Sequence, residues 1–375
     1  MLIFYSTLSI FLILCYLVII LLYIFYWNLI EEWEIPSNYS FRTTVSVIIA
    51  ARNEADNIQQ CLEAILAQSY PSELLDIWIV NDHSEDQTAD IVHSFHHKNI
   101  HLLNLPPNQR GKKQAIQFAI QHSKGDLIVT TDADCSMGTD WLKYIVSYYQ
   151  EYPSKLIAAP VSFHRENSIF ELFQTLDFMG MMAVSGAGIK GRFMNLCNGA
   201  NLAYERTAFD AVNGFEGIDH LASGDDMLLM QKIAAQYPNQ IAYLKNKQAQ
   251  TLTYAKPTVK TFLQQRIRWA SKSGAYTNWQ TIVILAIVWI LCLSMIVDLL
   301  LTPFNYLFLF WFVFKFIAKG FADFFFLGMM TSFFDRPKLM RAFIPSLFFH
   351  WWYISVVGLL GNIIKRYEWK GRKVR

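Results

Sequence analysis

The sequence predicts an α/β domain on a mainly parallel sheet, flanked by N- and C-terminal transmembrane helices. Two observations carry this expectation. Between residues 43 and 131 short apolar runs alternate with helix-length segments, the pattern of βαβ units. Hydrophobic residues make up 53% of the chain, charged residues only 17%, and there are 29 Phe, more apolar surface than a soluble domain buries.

Residues 1–30 carry no charged side chain, and 8–27 is long enough to cross a hydrocarbon core as a helix. With no basic start and no small-residue cleavage site, 1–30 reads as a retained anchor. Strands are expected at 45–50, 77–80, 100–103 and 127–131, with helices at 55–67, 85–97 and 112–122 between them. Beyond 131 the alternation gives way to mixed elements up to about 273. The segments 282–301, 304–330 and 342–364 are again apolar, aromatic and of spanning length. The expected organisation is an anchor at 1–30, one soluble domain at 43–276, a membrane region at 281–364 and a basic tail at 365–375. A net charge of +2 gives no footprint for nucleic acid. Five cysteines without C-x-x-C spacing imply neither a disulfide framework nor a zinc site.

In parallel sheets ligands bind beyond the carboxyl ends of the strands, and four polar clusters fall there. Ala50-Ala51-Arg52-Asn53-Glu54 follows the first strand and reads either as a helix cap or as part of a site. Asn81-Asp82-His83 follows the second, where Asp82 either caps a turn or accepts the imide edge of a pyrimidine. Gly111-Lys112-Lys113 opens a helix, a position suited to phosphate, although such lysines are often merely solvated. Thr131-Asp132-Ala133-Asp134 places two carboxylates one residue apart at a buried strand end. They repel unless a cation lies between them, which favours Mg²⁺ or Mn²⁺ over a simple turn.

A later acidic pair, Asp225-Asp226, precedes the helical pattern Met227, Leu228, Met230, Ile233; one carboxylate caps, and the other is a candidate base. Gln265-Arg266-Ile267-Arg268-Trp269 sits just before the membrane segments, where Arg and Trp ordinarily anchor at an interface. Gly186-Ala187-Gly188-Ile189-Lys190-Gly191 matches a dinucleotide fingerprint by letter, but it follows a helix-like stretch rather than a strand and is rejected. The stretch 170–182 has Phe, Leu and Met at helical spacing, as core or as an interfacial helix. His93, His96, His97 and His101 read as a solvated helix edge.

Taken in order, D-x-D at Asp132 and Asp134, G-D-D ending at Asp226 and Q-x-x-R-W at Gln265, Arg268 and Trp269 resemble the membrane-bound family-2 glycosyltransferases. That group contains ceramide glucosyltransferases and poly-N-acetylglucosamine, cellulose and hyaluronan synthases. The resemblance covers roughly residues 43–276 and implies a GT-A fold and a Mg²⁺- or Mn²⁺-dependent inverting transfer from a nucleotide sugar, UDP-linked by expectation. It implies that Asp82 holds the uracil, that Lys112 lies near the nucleotide, and that Asp132 and Asp134 hold ribose-diphosphate and metal. Asp226 would be the base, with Asp225 beside it, and Gln265, Arg268 and Trp269 would close over diphosphate and acceptor. Ala50, Arg52 and Glu54 are counted with the substrate-binding candidates.

The expected acceptor is a hydroxyl of a lipid or glycan. A processive polysaccharide synthase is the alternative, although few membrane segments are present to form a channel. Transfer to polyprenyl phosphate would leave Asp226 without a purpose. A transporter is suggested only by Asp298, Lys315, Lys319 and Asp323 in apolar segments, of which the last three are spaced for self-pairing on one helix face. The soluble domain is expected in the cytoplasm at the inner (plasma) membrane. Both the loop containing Arg336, Lys338 and Arg341 and the tail are basic, so 342–364, broken by Pro345, Gly358 and Gly361, is expected to enter without crossing.

Overall fold

The computed structural model describes every residue except 1, 222, 223, 272, 273, 275, 364–366, 370, 371 and 375, and only the backbone at 362, 367–369, 373 and 374. Ser223 of the acidic motif, and Lys365, Arg366, Lys370 and Gly371 of the expected tail, lie outside the described residues. The chain divides into two compact units: Met1–Leu29 with Arg165–Met194 and Ala255–Lys365, and Ile30–His164 with Asn195–Tyr254 and Arg366–Arg375.

The second unit is built on a sheet. Its parallel half comprises β1 (Val45–Ala51), β2 (Leu75–Asn81), β3 (Ile100–Asn104) and β4 (Leu127–Asp132), connected through α2 (Ile58–Leu66), α3 (Thr88–Ser94) and α4 (Lys112–His122). Then come β5 (Ser136–Met137), α5 (Trp141–Glu151), β6 (Leu156–Ala158), β7 (Val161–Phe163), β8 (Leu202–Glu205), α7 (Arg206–Ala211), α8 (Met227–Gln236), β9 (Ile241–Tyr243) and β10 (Thr251–Thr253). The large sheet has the order β3-β2-β1-β4-β8-β6-β9, with β8 antiparallel to its neighbours β4 and β6. A smaller sheet runs β5-β10-β7.

β1 lies inside the sheet between β2 and β4, and its Val45, Val47, Ile48 and Ile49 are each buried to 1% exposure or less. Apolar on both faces, it suits a parallel sheet covered by helices, each such side chain stabilising by about 1.5–3 kcal/mol over exposure. One cover is α2, whose Ile58, Cys61, Leu62 and Ile65 recur at helical spacing and are all buried. Gly125, just before β4, is demanded by close approach: a Cβ there would lie 2.4 Å from the Ser46 nitrogen. Register then aligns Ala51 with Asn81, Asn81 with Asn104, and Ala50 with Asp132, so the carboxyl ends of all four parallel strands share one edge.

The first unit is helical: α1 (Leu2–Asn28), α6 (Ile169–Gly191), α9 (Val259–Ala270), α10 (Trp279–Leu301), α11 (Leu307–Phe333) and α12 (Phe343–Ile363). Among the described residues, Leu2–Asn28, Trp279–Leu301 and Pro337–Gly361 are long and apolar enough to cross a membrane. The expected continuous domain 43–276 is thus divided, since 165–194 and 255–276 belong to the helical unit. The cause is α6, longer than 170–182 and buried along most of its length from Phe173 to Ile189. Gly186–Gly191 forms its last turns, closed by Arg192 at φ 58°, so those glycines are helical.

Self-pairing on α11 holds for Lys319 and Asp323 but not for Lys315. Lys315 instead reaches Asp298 of α10 at 2.8 Å, and Tyr5 of α1 donates to the same carboxylate at 2.5 Å. Arg266 of α9 pairs with Asp177 of α6 at 2.8 Å, both side chains 4% exposed. Such buried pairs are costly to break because either partner alone would leave a desolvated charge.

Candidate active site

The site is assembled at the shared strand edge of the sheet-containing unit. The β1–α2 and β2–α3 turns are tied to each other. Asn53 and His83 sit at φ 51° and 53°, left-handed conformations that Asn and His tolerate better than most residues. Asn53 Oδ1 accepts the Glu85 N–H at 2.9 Å, and the Glu54 N–H donates to Thr88 Oγ1 at 2.8 Å. Arg52, 6% exposed, donates to the Asp82 carbonyl at 3.0 Å, to the His83 carbonyl and to Glu85 at 3.0 Å. In this arrangement Arg52 and the Glu54 backbone hold the loop that carries Asp82. Ala50 is a half-buried strand residue paired with Val80 and Asp132.

Asp82 is 2% exposed. Its Oδ2 accepts the Gly111 N–H at 3.0 Å, which ties it to the start of α4. Gly111 has φ 94°, a conformation glycine adopts without strain. A second partner comes from the far end of the chain. The tail forms a hairpin of β11 (Tyr367–Trp369) and β12 (Arg372–Val374), and Arg372 Nη1 lies 2.8 and 2.9 Å from the two Asp82 oxygens.

Lys112 is the electrostatic centre. Its Nζ donates to Asp132 Oδ1 at 2.6 Å and lies 3.0 Å from Asp225 Oδ2. Burial alone would lower the ammonium, but Asp132 and Asp225 more than offset that and hold it well above the ordinary lysine value. Lys113 is buried, not solvated, and donates to the carbonyls of Ile218 and Leu221 at 2.5 and 2.8 Å. One lysine therefore offsets part of the acidic cluster's charge while its neighbour fastens a loop.

The ligand atoms of Asp132, Asp134 and Cys135 all lie within 4.8 Å of one another. Two carboxylates in that span fit a hard divalent cation. Cys135 was invisible to spacing rules, and burial, with Asp134 and Asp132 beside it, pushes its thiol well up, so the sulfur stays protonated. The carboxylate oxygens are the donors that fit Mg²⁺ or Mn²⁺.

Asp226 caps α8: its Oδ1 accepts the Met227 N–H at 2.6 Å and its Oδ2 accepts the Gly199 N–H at 3.2 Å. Gly199 was also missed from sequence. A Cβ there would stand 3.1 Å from Asp225 Oδ2, 3.2 Å from Lys112 Nζ and 3.3 Å from Asp226 Cβ. Its only sequence signal is the uncharged run Asn198-Gly199-Ala200-Asn201 before β8. The structure thus brings together Asp82, Lys112, Asp132, Asp134, Asp225 and Asp226. Gln265, Arg268 and Trp269 lie on α9, which belongs to the helical unit. There the Arg266 guanidinium stacks on the rings of Phe262 and Trp269, at 4.9 and 4.4 Å from their centroids. His101 is on β3 and stacks on Trp78 at 4.3 Å, so it is not part of a helix edge.

Residues 46–209 match the family model described as "Glycosyl transferase family 2". Glycosyltransferase AglE of Haloferax volcanii is 30% identical over 185 residues, covering 49% of this chain and 59% of the relative. Poly-beta-1,6-N-acetyl-D-glucosamine synthase of Staphylococcus epidermidis is 23% identical over 229 residues, 60% of this chain and 53% of the relative. The chain thus spans little more than half the length of these two relatives. Among solved structures, the mannosyltransferase PcManGT of Pyrobaculum calidifontis, in complex with GDP-Man and Mn²⁺, superposes with a TM-score of 0.59 at 18% identity. That match covers 96% of this chain and 98% of the other. The shared fold is GT-A, with its largely parallel sheet.

Proposed function

Residues 46–209 are a glycosyl transferase family 2 domain, and from that premise we propose that the chain transfers a sugar from a nucleoside-diphosphate sugar to a hydroxyl of a lipid or glycan acceptor at the cytoplasmic face of a membrane. The observation that carries this reading is the convergence of Asp82, Lys112, Asp132, Asp134, Asp225 and Asp226 at one strand edge.

Each residue has a task the geometry supports. Asp82, held by the Gly111 N–H, presents a buried acceptor to the imide edge of a uracil. Asp132 and Asp134 would hold Mg²⁺ or Mn²⁺, which when bound would offset the charge of the departing diphosphate. Lys112 pairs with Asp132 and Asp225 and offsets part of their charge, which lessens repulsion of the donor's diphosphate. Asp226, held by two backbone N–H groups, takes the acceptor hydroxyl's proton as that oxygen attacks the anomeric carbon. Attack opposite the leaving diphosphate inverts the anomeric centre.

A processive polysaccharide synthase is the second reading, supported by the likeness to poly-beta-1,6-N-acetyl-D-glucosamine synthase. Membranes containing the protein, incubated with a panel of labelled nucleotide sugars, separate the two. Label in a lipid-soluble product of one or a few sugars supports the first reading, polymeric product supports the second, and no sugar transfer from any donor overturns both.

A further inference from the structure

We infer that Arg372, in the C-terminal hairpin, is a positioning residue for donor-base recognition: it pairs with the Asp82 carboxylate and aims it while leaving one acceptor position on Oδ1 open. This rests on the reading above that Asp82 receives the pyrimidine. The two residues are 290 positions apart, yet both belong to the same compact unit.

An ionised carboxylate with Asp82's 2% exposure is strongly destabilised unless a cation and N–H donors replace its water. The Gly111 N–H supplies one donor, on Oδ2 at 3.0 Å. Arg372 Nη1 supplies the charge, with contacts of 2.8 Å to Oδ1 and 2.9 Å to Oδ2. Arg372 Nη2 also reaches the Asp82 carbonyl at 3.2 Å, where Arg52 donates at 3.0 Å. Both lone pairs of that carbonyl are thereby used, which locks the residue from its backbone side.

A carboxylate offers about four acceptor positions. Three are taken by Gly111 and Arg372, and the remaining one, on Oδ1, suits a single N–H such as the imide of uracil. A neutral base could not replace the guanidinium without leaving a buried charge uncompensated, so arginine and base are bound together rather than in competition. β12 sets this position by pairing Arg372 with Trp369 across the hairpin. Recognition of the donor's base therefore depends on the hairpin of β11 and β12.

The test uses the full-length protein, with calorimetric binding of UDP in Mn²⁺ and competition by pyrophosphate. Arg372→Ala should weaken UDP about tenfold or more, the loss of one charge-assisted hydrogen-bonding partner. Donor KM should rise by a similar factor at nearly constant kcat and pyrophosphate competition should stay unchanged, all measured below a melting temperature that falls because Asp82 loses its counter-charge. Arg372→Lys should recover part of the loss. Unchanged UDP affinity in Arg372→Ala, beside a loss in Asp82→Asn, would overturn the role of Arg372 alone. Tighter UDP binding in Arg372→Ala would mean that the arginine competes with the base, and would overturn it too. If Asp82→Asn itself leaves UDP affinity intact, the base-binding reading of Asp82 fails first.

Discussion

Asp226 holds a helix and is assigned a proton, and a single substitution separates the two roles. In Asp226→Asn the amide oxygen can still accept the Met227 N–H now at 2.6 Å, so the cap of α8 persists. The Gly199 N–H, now 3.2 Å from the other oxygen, loses its acceptor. A part-buried N–H left without a partner costs about 1–3 kcal/mol. In a unit of this size each kcal/mol lowers the melting temperature by about 2–4 °C. Loss of a positioned base costs about 10²–10⁴ in rate, or about 3–5 kcal/mol in the barrier. Turnover should therefore collapse below the unfolding transition, while donor binding, measured calorimetrically with Mn²⁺, survives. Nucleoside diphosphate release reports the rate. Asp225→Asn is the comparison: it loosens Lys112 and should weaken donor binding more than it slows transfer. An Asp226→Asn protein with a lowered melting temperature but near wild-type transfer would leave Asp226 as a cap only, and the proposed mechanism would fall.

Three further outcomes are expected. EDTA should abolish transfer and Mn²⁺ or Mg²⁺ restore it, while Asp134→Asn removes activity without changing the melting temperature beyond a few degrees; full activity in metal-free buffer would reject the metal assignment. Lys112→Met should raise donor KM and lower stability. Because the folded ammonium titrates above its ordinary 10.5, its contribution is complete below that value and is lost only as pH rises past the higher folded value, so the melting-temperature gap to wild type should stay constant from about pH 6 to 9. A gap that closes within that range would contradict the Lys112 ion pairs. A cysteine at Val374 should react with impermeant reagents only after the cytoplasmic face is opened; labelling in intact cells would place the tail outside.

The sheet was legible because its inner parallel strands β1 and β4 are buried on both faces and stand out as apolar runs, at 45–50 and 127–131. Helix α4 begins and ends at 112 and 122 as expected, since Gly111 and Ser123 bound it. What could not be read depends on tertiary neighbours. Arg52 looks like a ligand-binding arginine in sequence, but folding turns its guanidinium onto the carbonyls of Asp82 and His83. Lys113 looks solvated beside Lys112, yet its position on α4 directs it onto the carbonyls of Ile218 and Leu221. Gly199 carries no charge to attract notice, and its importance is the space a Cβ would take from three charged side chains. The division at 165–194 was hidden because α6 has the same apolar periodicity as any core helix.

The Arg372–Asp82 ion pair also constrains the count of membrane crossings. A chain that leaves one side of a bilayer and returns to that side has crossed it an even number of times. After Tyr254 the chain departs from the sheet-containing unit, and at Arg372 it is within that unit again, its guanidinium on Asp82. Three helices, α10, α11 and α12, occupy the interval, and there Trp279–Leu301 and Pro337–Gly361 are the described stretches long and apolar enough to cross. We propose that an even number of them crosses completely, which would leave Tyr254 and the 367–374 hairpin on the same side of the membrane.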